Sequence, residues 1–310
     1  MARRVFTREG VDGLAVHLES TCGIEVAGTE QLDVGVFRVD RRDGPPWVAR
    51  VGNAPEMADP PLQRFWARRV YPKAQRLVIN SRGMERALLR HYPRTEGKTT
   101  SIPNPTDFAR LDDRAAAEPA ERKPEGGQVL LWLGRLVRQK RPDVALEALA
   151  RIRREAPDRD VRLWLCGEGP LEGEARALAS QLGLDGSVRF LGFVDNPFAL
   201  MRQADLLLLT SDHEGLPNAL IEAQGLGLPA VSTRCPYGPE EILHDGGSGR
   251  LVAPGDPLAV AGAALELLRD PERRRRMGRA AADLARARFG LSQVMPRWQE
   301  LLERVVREGR

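Results

Sequence analysis

Cysteine is scarce: the 310 residues hold Cys22, Cys166 and Cys235, with no C-x-x-C spacing. An odd and scattered set of thiols indicates neither a disulfide framework nor a zinc site, and a reducing cytoplasm suits it. No apolar run approaches the length that spans a bilayer, so any membrane contact is expected to be peripheral. Arg3 and Arg4 are followed by no apolar stretch, which argues against a signal peptide. Aromatic residues reach only 5%. Neither interleaved aromatics nor an RNP-like motif accompanies the basic residues, so no nucleic-acid partner is expected. Acids are scarce locally. From Pro61 to Lys98 ten Lys or Arg face only Glu85 and Glu96, although the formal net charge of the chain is +4. Such a stretch either attracts phosphate groups or is the solvated face of a helix.

What is present is periodic. An apolar content of 42% suffices for a core, and the length allows two domains. From Gln128 onward, strands alternate with helices. Strands are expected at 128–133, 161–166, 187–191, 205–209 and 229–232, and helices at 141–155, 171–182, 196–202 and 218–226. The four leucines of 206–209 suit a central strand covered on both faces. This alternation predicts βαβ units on a parallel sheet, with ligands beyond the carboxyl ends of the strands. Upstream, Arg76 to Asn80 reads as a strand and Ser81 to Arg90 as a helix capped by Ser81. Val34–Val39 and Trp47–Val51 alternate as a hairpin would, with Asp43-Gly44 in the connection. Pro103-Asn104-Pro105 ends a short strand, and Ala115 to Gly127 has the Ala, Glu, Pro and Gly content of a linker. Two amphipathic helices, 271–288 and 291–307, break at Phe289-Gly290. Arg273 to Arg276 reads as solvated.

Two segments lie at expected strand ends and carry chemistry. In Ser211-Asp-His-Glu214-Gly-Leu-Pro-Asn-Ala-Leu-Ile-Glu222, two carboxylates flank the start of a helix near Asn218. A helix N-terminus suits a phosphate. Carboxylates beside it suit hydroxyl donors such as those of a sugar and a ribose, or simply favour the helix start. In Leu133-Gly-Arg135-Leu-Val-Arg-Gln-Lys140, Gly134 permits a tight turn, and Arg135 and Lys140 offer two cations to a diphosphate; surface charge is the plainer alternative. Asp158 and Asp160 have D-x-D spacing but lie before a strand, on the side away from the ligand edge, so no metal is expected there. His213 is close to the site without a clear role.

Read in order, Gly134-Arg135-Leu136…Lys140, Gly167-Glu168-Gly169-Pro170, Gly192-Phe193-Val194, Ala204-Asp205, Glu214-Gly215-Leu216-Pro217…Glu222-Ala223 and Gly227-Leu228-Pro229 resemble the donor domain of the retaining GT-B glycosyltransferases of family 4. Glu214 and Glu222 match that family's E-x7-E motif. Pro236 to Ile242 and Gly249 to Val252 are similar to a downstream element of bacterial members that build surface polysaccharides. The resemblance implies an α/β, GT-B-like chain with a complete C-terminal Rossmann-like domain on a parallel sheet and a reduced N-terminal α/β domain. It implies residues 1–107 as an atypical acceptor-side domain, 108–127 as linker, 128–288 as the donor domain and 289–310 as a helix crossing back. Arg135 and Lys140 would bind the diphosphate as leaving group, and Glu214 would contact the transferred sugar. Gly215 and Leu216 would present amides to donor oxygens beside Asn218, and Glu222 would hold the ribose. Gly134 and Gly167 would line the site, with Gly192, Phe193 and Val194 along the base.

The implied activity is transfer of a hexose or N-acetylhexosamine from a UDP-sugar, with retention, to a glycan or polyprenyl-phosphate-linked acceptor. No cofactor other than the nucleotide-sugar donor is implied. The place of action would be the cytoplasm, with peripheral contact at the inner membrane surface. The pattern departs from the family upstream. About 105 residues precede the Pro103–Pro105 junction, a Gly-rich acceptor loop is not recognisable, and His17 and His91 lack the surroundings of the family's sugar-contacting histidine. Leu32–Val39 with Trp47–Arg50 faintly resembles the N-lobe hairpin of small-molecule kinases, but it has no strand lysine and no later catalytic motif. The second reading is a nucleotide-sugar-binding partner or regulator without transfer activity.

Overall fold

The computed structural model describes residues 24–29, 34–39, 47–51 and 67–308. Asp43-Gly44, His17, Cys22 and Arg64 lie outside them. The chain divides into two compact units, residues 1–103 with 294–310, and residues 104–293.

The first unit is built on a five-stranded sheet in the order β1-β2-β3-β4-β5. Its elements are β1 (Ile24–Thr29), β2 (Val34–Val39), β3 (Trp47–Val51), β4 (Arg76–Ile79), α1 (Arg82–His91) and β5 (Thr99–Ser101). β1, β2 and β3 pair antiparallel, and β3, β4 and β5 parallel. The hairpin expected from the alternation of β2 and β3 is present, with Val34 opposite Val51; β1 extends it beyond the sequence reading. Ser81 caps α1 as its residue type predicts, its Oγ accepting from Met84 N at 3.2 Å. Arg82, Arg86 and Arg90 fall on the exposed side of α1 while Met84, Ala87 and Leu88 are buried, so a solvated cationic face and an apolar face coexist at helical spacing.

The second unit begins with α2 (Phe108–Ala115) and carries six parallel strands: β6 (Gln128–Leu133), β7 (Val161–Cys166), β8 (Val188–Gly192), β9 (Leu206–Leu209), β10 (Ala230–Thr233) and β11 (Gly249–Val252). The helices between and after them are α3 (Pro142–Glu155), α4 (Glu172–Gln181), α5 (Phe198–Gln203), α6 (Asn218–Gly225), α7 (Pro239–Ile242), α8 (Pro257–Arg269) and α9 (Pro271–Phe289). α10 (Leu291–Glu308) follows, and from Val294 it belongs to the first unit. There Val294, Trp298, Leu301, Leu302 and Val305 form one core with Val48, Val78 and Ile102.

The sheet order β11-β10-β9-β6-β7-β8 decides where a ligand can sit. The chain builds from β6 outward through β7 and β8, then returns to the other side of β6 with β9. The order therefore reverses between β6 and β9, and the crevice beyond their carboxyl ends is the place an open α/β sheet offers a ligand. β9 pairs on both sides, and all four of its leucines are buried.

Two expectations need correction. Residues 108–115, assigned to the linker, form α2. Asp107 caps it, and Phe108, Leu111 and Ala115 lie in the core of the second unit. Their spacing of three and four is a helical apolar stripe, but the Ala- and Pro-rich sequence that follows hid it. The arginines 273–276 are not all simply solvated. Arg274 reaches the buried Asp205 carboxylate at 2.9 Å, which also accepts from Lys123 Nζ at 2.6 Å and Val129 N at 2.7 Å. Asp205 so joins the chain before β6, β6 itself and α9 at the end of the sheet away from the ligand edge.

Candidate functional site

Two loops meet at the switch point, Gly134–Arg141 after β6 and Thr210–Pro217 after β9. Buried polar groups stitch them together. Trp132 Nε1 donates to Thr210 Oγ1 at 3.0 Å, and that hydroxyl lies 2.9 and 2.8 Å from the carbonyl oxygens of Lys140 and Arg141. Asp212 N donates to Gln139 O at 2.9 Å, and Gln139 Nε2 to His213 O at 2.9 Å. Arg141 takes a left-handed φ of 49°, which costs a side-chain-bearing residue about 1–2 kcal/mol. Its guanidinium is held by Asp143 at 2.7 Å and Asp212 at 3.2 Å, which offset that cost.

These contacts deliver Lys140 to Glu214. Lys140 Nζ is 2.7 Å from Glu214 Oε1, and Ser211 Oγ donates to the same oxygen at 2.6 Å. Glu214 is only 6% exposed, so its charge depends on this cation and hydroxyl. The loop after β10 fixes its backbone: Glu214 N donates to Pro236 O at 2.7 Å and Tyr237 N to Glu214 O at 3.0 Å. Beside it, burial holds the His213 imidazole below its ordinary value, opposed by the charges of Glu214 and Asp212. Burial pushes the Cys166 and Cys235 thiols up to about 12, so both are poor nucleophiles near neutral pH.

On the other side of β6, backbone contacts link three glycine turns. Gly134 N donates to Cys166 O at 3.1 Å and Gly167 N to Gly192 O at 2.7 Å. Gly167 has φ of 133°, and a Cβ there would stand 1.9 Å from Gly134 O. The tight approach expected of Gly134 therefore belongs to Gly167; at Gly134 a Cβ would meet its nearest neighbour at 3.5 Å. Gly192 turns with φ of 63°, and Phe193 N then donates to Glu168 Oε1 at 3.3 Å. The Phe193 ring is left 74% exposed, and Val194 is half-buried.

The remaining residues differ in what they bind. Arg135 is exposed and makes no ion pair among the described residues. The two cations read together from the sequence are thus in different states: Lys140 is committed to Glu214, and Arg135 is available. Gly215 and Leu216 donate no backbone hydrogen bond among the described residues. Asn218 starts α6, its Oδ1 accepting from Asn104 Nδ2 at 2.6 Å. Glu222, one turn on, is half-buried, and its carboxyl has no hydrogen-bond partner among the described residues. Burial raises its carboxyl to about 7, with Arg114 pulling it down. Sequence reasoning missed Ser211, Glu168 and Arg114. Ser211 was legible as a hydroxyl three residues before Glu214; Arg114 was not, because the helix that carries it was read as linker. Asp158 and Asp160 stand before β7, away from the site, and Asp160 pairs with Arg162 at 2.9 Å. Among the described residues no group of three or more His, Cys, Asp or Glu side chains could hold a metal ion.

Comparison with known proteins agrees with this fold. The model of the glycosyl transferases group 1 family matches residues 113–284, more than half of the chain, and the chain belongs to that family. It is 32% identical over 271 residues to a D-inositol 3-phosphate glycosyltransferase of Corynebacterium kroppenstedtii, covering 83% of this chain and 59% of that protein. It is 32% identical over 186 residues to the N-acetyl-alpha-D-glucosaminyl L-malate synthase of Bacillus anthracis, covering 60% of this chain and 48% of that protein. The chain thus spans about half to three fifths of the length of these relatives. Among solved structures it is similar to Anabaena HepE in complex with UDP and glucose, with a TM-score of 0.71, 22% identity and coverage of 83% of this chain and 71% of that one. It is also similar to a sucrose-phosphate synthase of Thermosynechococcus elongatus, with a TM-score of 0.72, 20% identity and coverage of 86% and 69%. These likenesses establish the GT-B fold.

Proposed function

We propose that the chain transfers a hexose or N-acetylhexosamine from a UDP-sugar, with retention, to a glycan or lipid-linked acceptor. The observation that carries this reading is the supply of open groups at the switch point. One cation, Arg135, has no ion pair among the described residues, and one half-buried carboxyl, Glu222, has no donor. A nucleoside diphosphate brings the complements: a diphosphate for Arg135 and the free amides of Gly215 and Leu216, and a ribose diol for Glu222.

In the reaction the bond from the sugar's anomeric carbon to the diphosphate oxygen breaks. A new bond to the acceptor oxygen forms, and the acceptor's hydroxyl proton passes to the departing diphosphate, which carries away the electron pair of the broken bond. Negative charge accumulates on the leaving diphosphate, where Arg135, the start of α6 and the N–H groups of Lys140 that Glu214 does not take up neutralise it. Glu214 faces the transferred sugar as a fixed acceptor for its hydroxyls, aligned by Lys140 and Ser211. Phe193 offers its exposed ring to the base. On this reading Arg135 and Lys140 take the part that a divalent cation would have at the diphosphate. Work at the inner face of the membrane suits a polyprenyl-phosphate-linked acceptor; no helix among the described residues is long and apolar enough to cross a membrane, and the exposed arginines of α1 suit anionic headgroups.

Calorimetry with UDP, GDP and their sugars is the first test, followed by incubation with labelled UDP-sugars and bacterial lipid fractions. Binding of UDP with transfer to a lipid or glycan is expected. Absence of heat from every nucleotide would remove the reading. Binding with neither transfer to any acceptor nor donor hydrolysis would leave a nucleotide-sugar-binding protein.

A further inference from the structure

α2 touches both ends of the nucleoside side of this site. At its start, Phe108 packs on Gly225, the last residue of α6, so closely that a Cβ at Gly225 would stand 2.0 Å from the ring. Arg286 of α9 locks that end. It donates to Gly225 O at 2.9 Å, forms two hydrogen bonds with Asp112 of α2 at 3.0 and 2.7 Å, and lies 5.2 Å from the Phe108 ring centroid. At the other end of α2, Arg114 holds the segment after β8. Its Nη2 donates to Asp195 O at 2.6 Å and reaches Asp195 Oδ2 at 3.0 Å, and its guanidinium lies 5.2 Å from the Phe198 ring centroid. Asn196 Nδ2 returns a hydrogen bond to Arg114 O at 2.8 Å. Residues 195–198 so grip one arginine by four contacts, immediately after Gly192–Val194.

We propose that α2 is a brace that sets the spacing between the base-contacting turn 192–194 and the ribose-contacting helix α6, and that Arg114 is the positioning residue at its working end. This rests on the reading of Phe193 and Glu222 as base and ribose contacts. Neither contact surface is rigid by itself. The turn leaves a strand at the edge of the sheet, with β8 paired only to β7 among the described residues, and α6 is a short helix of 8 residues. A base and a ribose are joined covalently, so the two surfaces must keep a fixed separation for both to engage. A helix clamped to each of them supplies it. Arg114 also places the one charge acting on the Glu222 carboxyl among the described residues, favouring its ionised form. Arg286 of α9, which donates to Gly225 O at the end of α6, is paired with Asp112.

The test compares wild type with Arg114→Ala, Arg114→Lys and Asp112→Ala, in two measurements. Hydrogen exchange of the free proteins should show faster exchange in Arg114→Ala confined to residues 192–198 and the end of α6. Asp112→Ala loosens the other end and should speed exchange at the end of α6. UDP titrations over pH should show about a tenfold loss of affinity in both Ala variants, the size of a lost charged hydrogen bond. The pH midpoint should move upward in Arg114→Ala and stay near wild type in Arg114→Lys, which keeps the charge. Unchanged exchange in both Ala variants overturns the brace, as does exchange that rises uniformly through the second unit. A wild-type protein that binds no nucleotide defeats the functional reading, while the exchange pattern still decides whether α2 braces the two segments.

Discussion

Glu214 sits in the loop between β9 and α6, and Glu222 in α6 itself. The two belong to one spacing motif, yet the fold treats them in opposite ways. Glu214 is 6% exposed, and its Oε1 is occupied by Lys140 at 2.7 Å and Ser211 at 2.6 Å. Glu222 is half-buried, and its carboxyl has no hydrogen-bond partner among the described residues and is raised to about 7. One has a built counter-ion, and the other is an acid near neutral pH with its acceptors open. A buried charge is tolerable only with a partner that stays, so the loop carries the permanent contact. An open acceptor costs least at the edge of burial, where water substitutes until a ligand arrives, so the helix carries the responsive one. Under the proposed function, that difference would separate orienting the sugar from capturing the nucleoside.

The sharpest way to break this comparison is to remove the loop's counter-ion. Lys140→Met leaves a buried carboxylate with only Ser211, and the expected loss of stability is about 3 kcal/mol, at the low end for a broken buried pair because Lys140 is partly exposed. Urea unfolding measures it. Lys140→Met with Glu214→Gln should recover most of the stability and none of the UDP affinity, since the double variant has no stranded charge. A loss below about 1 kcal/mol in the single variant would mean the pair is worth no more than a surface ion pair.

Glu222 gives the opposite sign. Its carboxyl is about 4.5 in the unfolded chain and about 7 in the fold, so ionisation opposes folding. The fold bears no such penalty below pH about 4.5; the penalty grows as pH rises and is complete above pH about 7. Glu222→Gln should therefore raise the unfolding free energy at pH 8 by about 2 kcal/mol, discounted for the partial exposure of the group, and leave it unchanged at pH 4. The same variant should bind UDP about tenfold more weakly at pH 8, and the rise of wild-type affinity through pH about 7 should disappear. A variant neither stabilised nor weakened at pH 8 would erase the contrast with Glu214. Next in size comes Arg135→Ala. It should cost about tenfold in UDP affinity while unfolding as wild type does, because the side chain is exposed and makes no ion pair among the described residues. Any loss of stability would show that Arg135 has a structural partner after all.

How far the sequence reached depends on which forces leave local marks. β6 and β7 were legible to the residue, since a buried parallel strand is a continuous apolar run between turns. The cap at Ser81 and the break at Gly290 were legible for the same local reason. α2 was missed because its apolar stripe is short and its neighbours have linker composition. β1 was missed because residues 30–33, which separate it from β2 in the sequence, carry no two-residue hairpin signal. At the site, residue types and strand-end positions pointed to Arg135, Lys140, Glu214 and Glu222, but not to who pairs with whom. The Lys140–Glu214 contact joins residues 74 apart, and only the order of β6 and β9 in the sheet brings them together. Burial at Glu222 likewise comes from the packing of distant elements around α6, and the E-x7-E spacing carries no trace of it.

The smallest expected effect concerns a second pair of carboxylates, Asp158 and Asp160, which share with the two glutamates only their residue chemistry. Were a divalent cation the partner of the diphosphate, the cations at the switch point would be redundant and the D-x-D spacing the natural ligand. The structure places that pair before β7, with Asp160 bound to Arg162 at 2.9 Å, whereas Arg135 and Lys140 follow β6 at its carboxyl end. A metal bound at Asp160 would first have to displace the Arg162 guanidinium, and it would still be at the wrong end of the strand to reach a phosphate. UDP affinity measured with EDTA and then with added magnesium or manganese should therefore be the same. A fall of tenfold or more with EDTA, about 1.4 kcal/mol, would show that protein cations do not suffice. Asp158→Asn with Asp160→Asn then separates the sources: if that variant loses the metal effect, the D-x-D pair is the ligand, and if it keeps it, the metal is held at the diphosphate by the donor itself, beside Glu214 or Glu222.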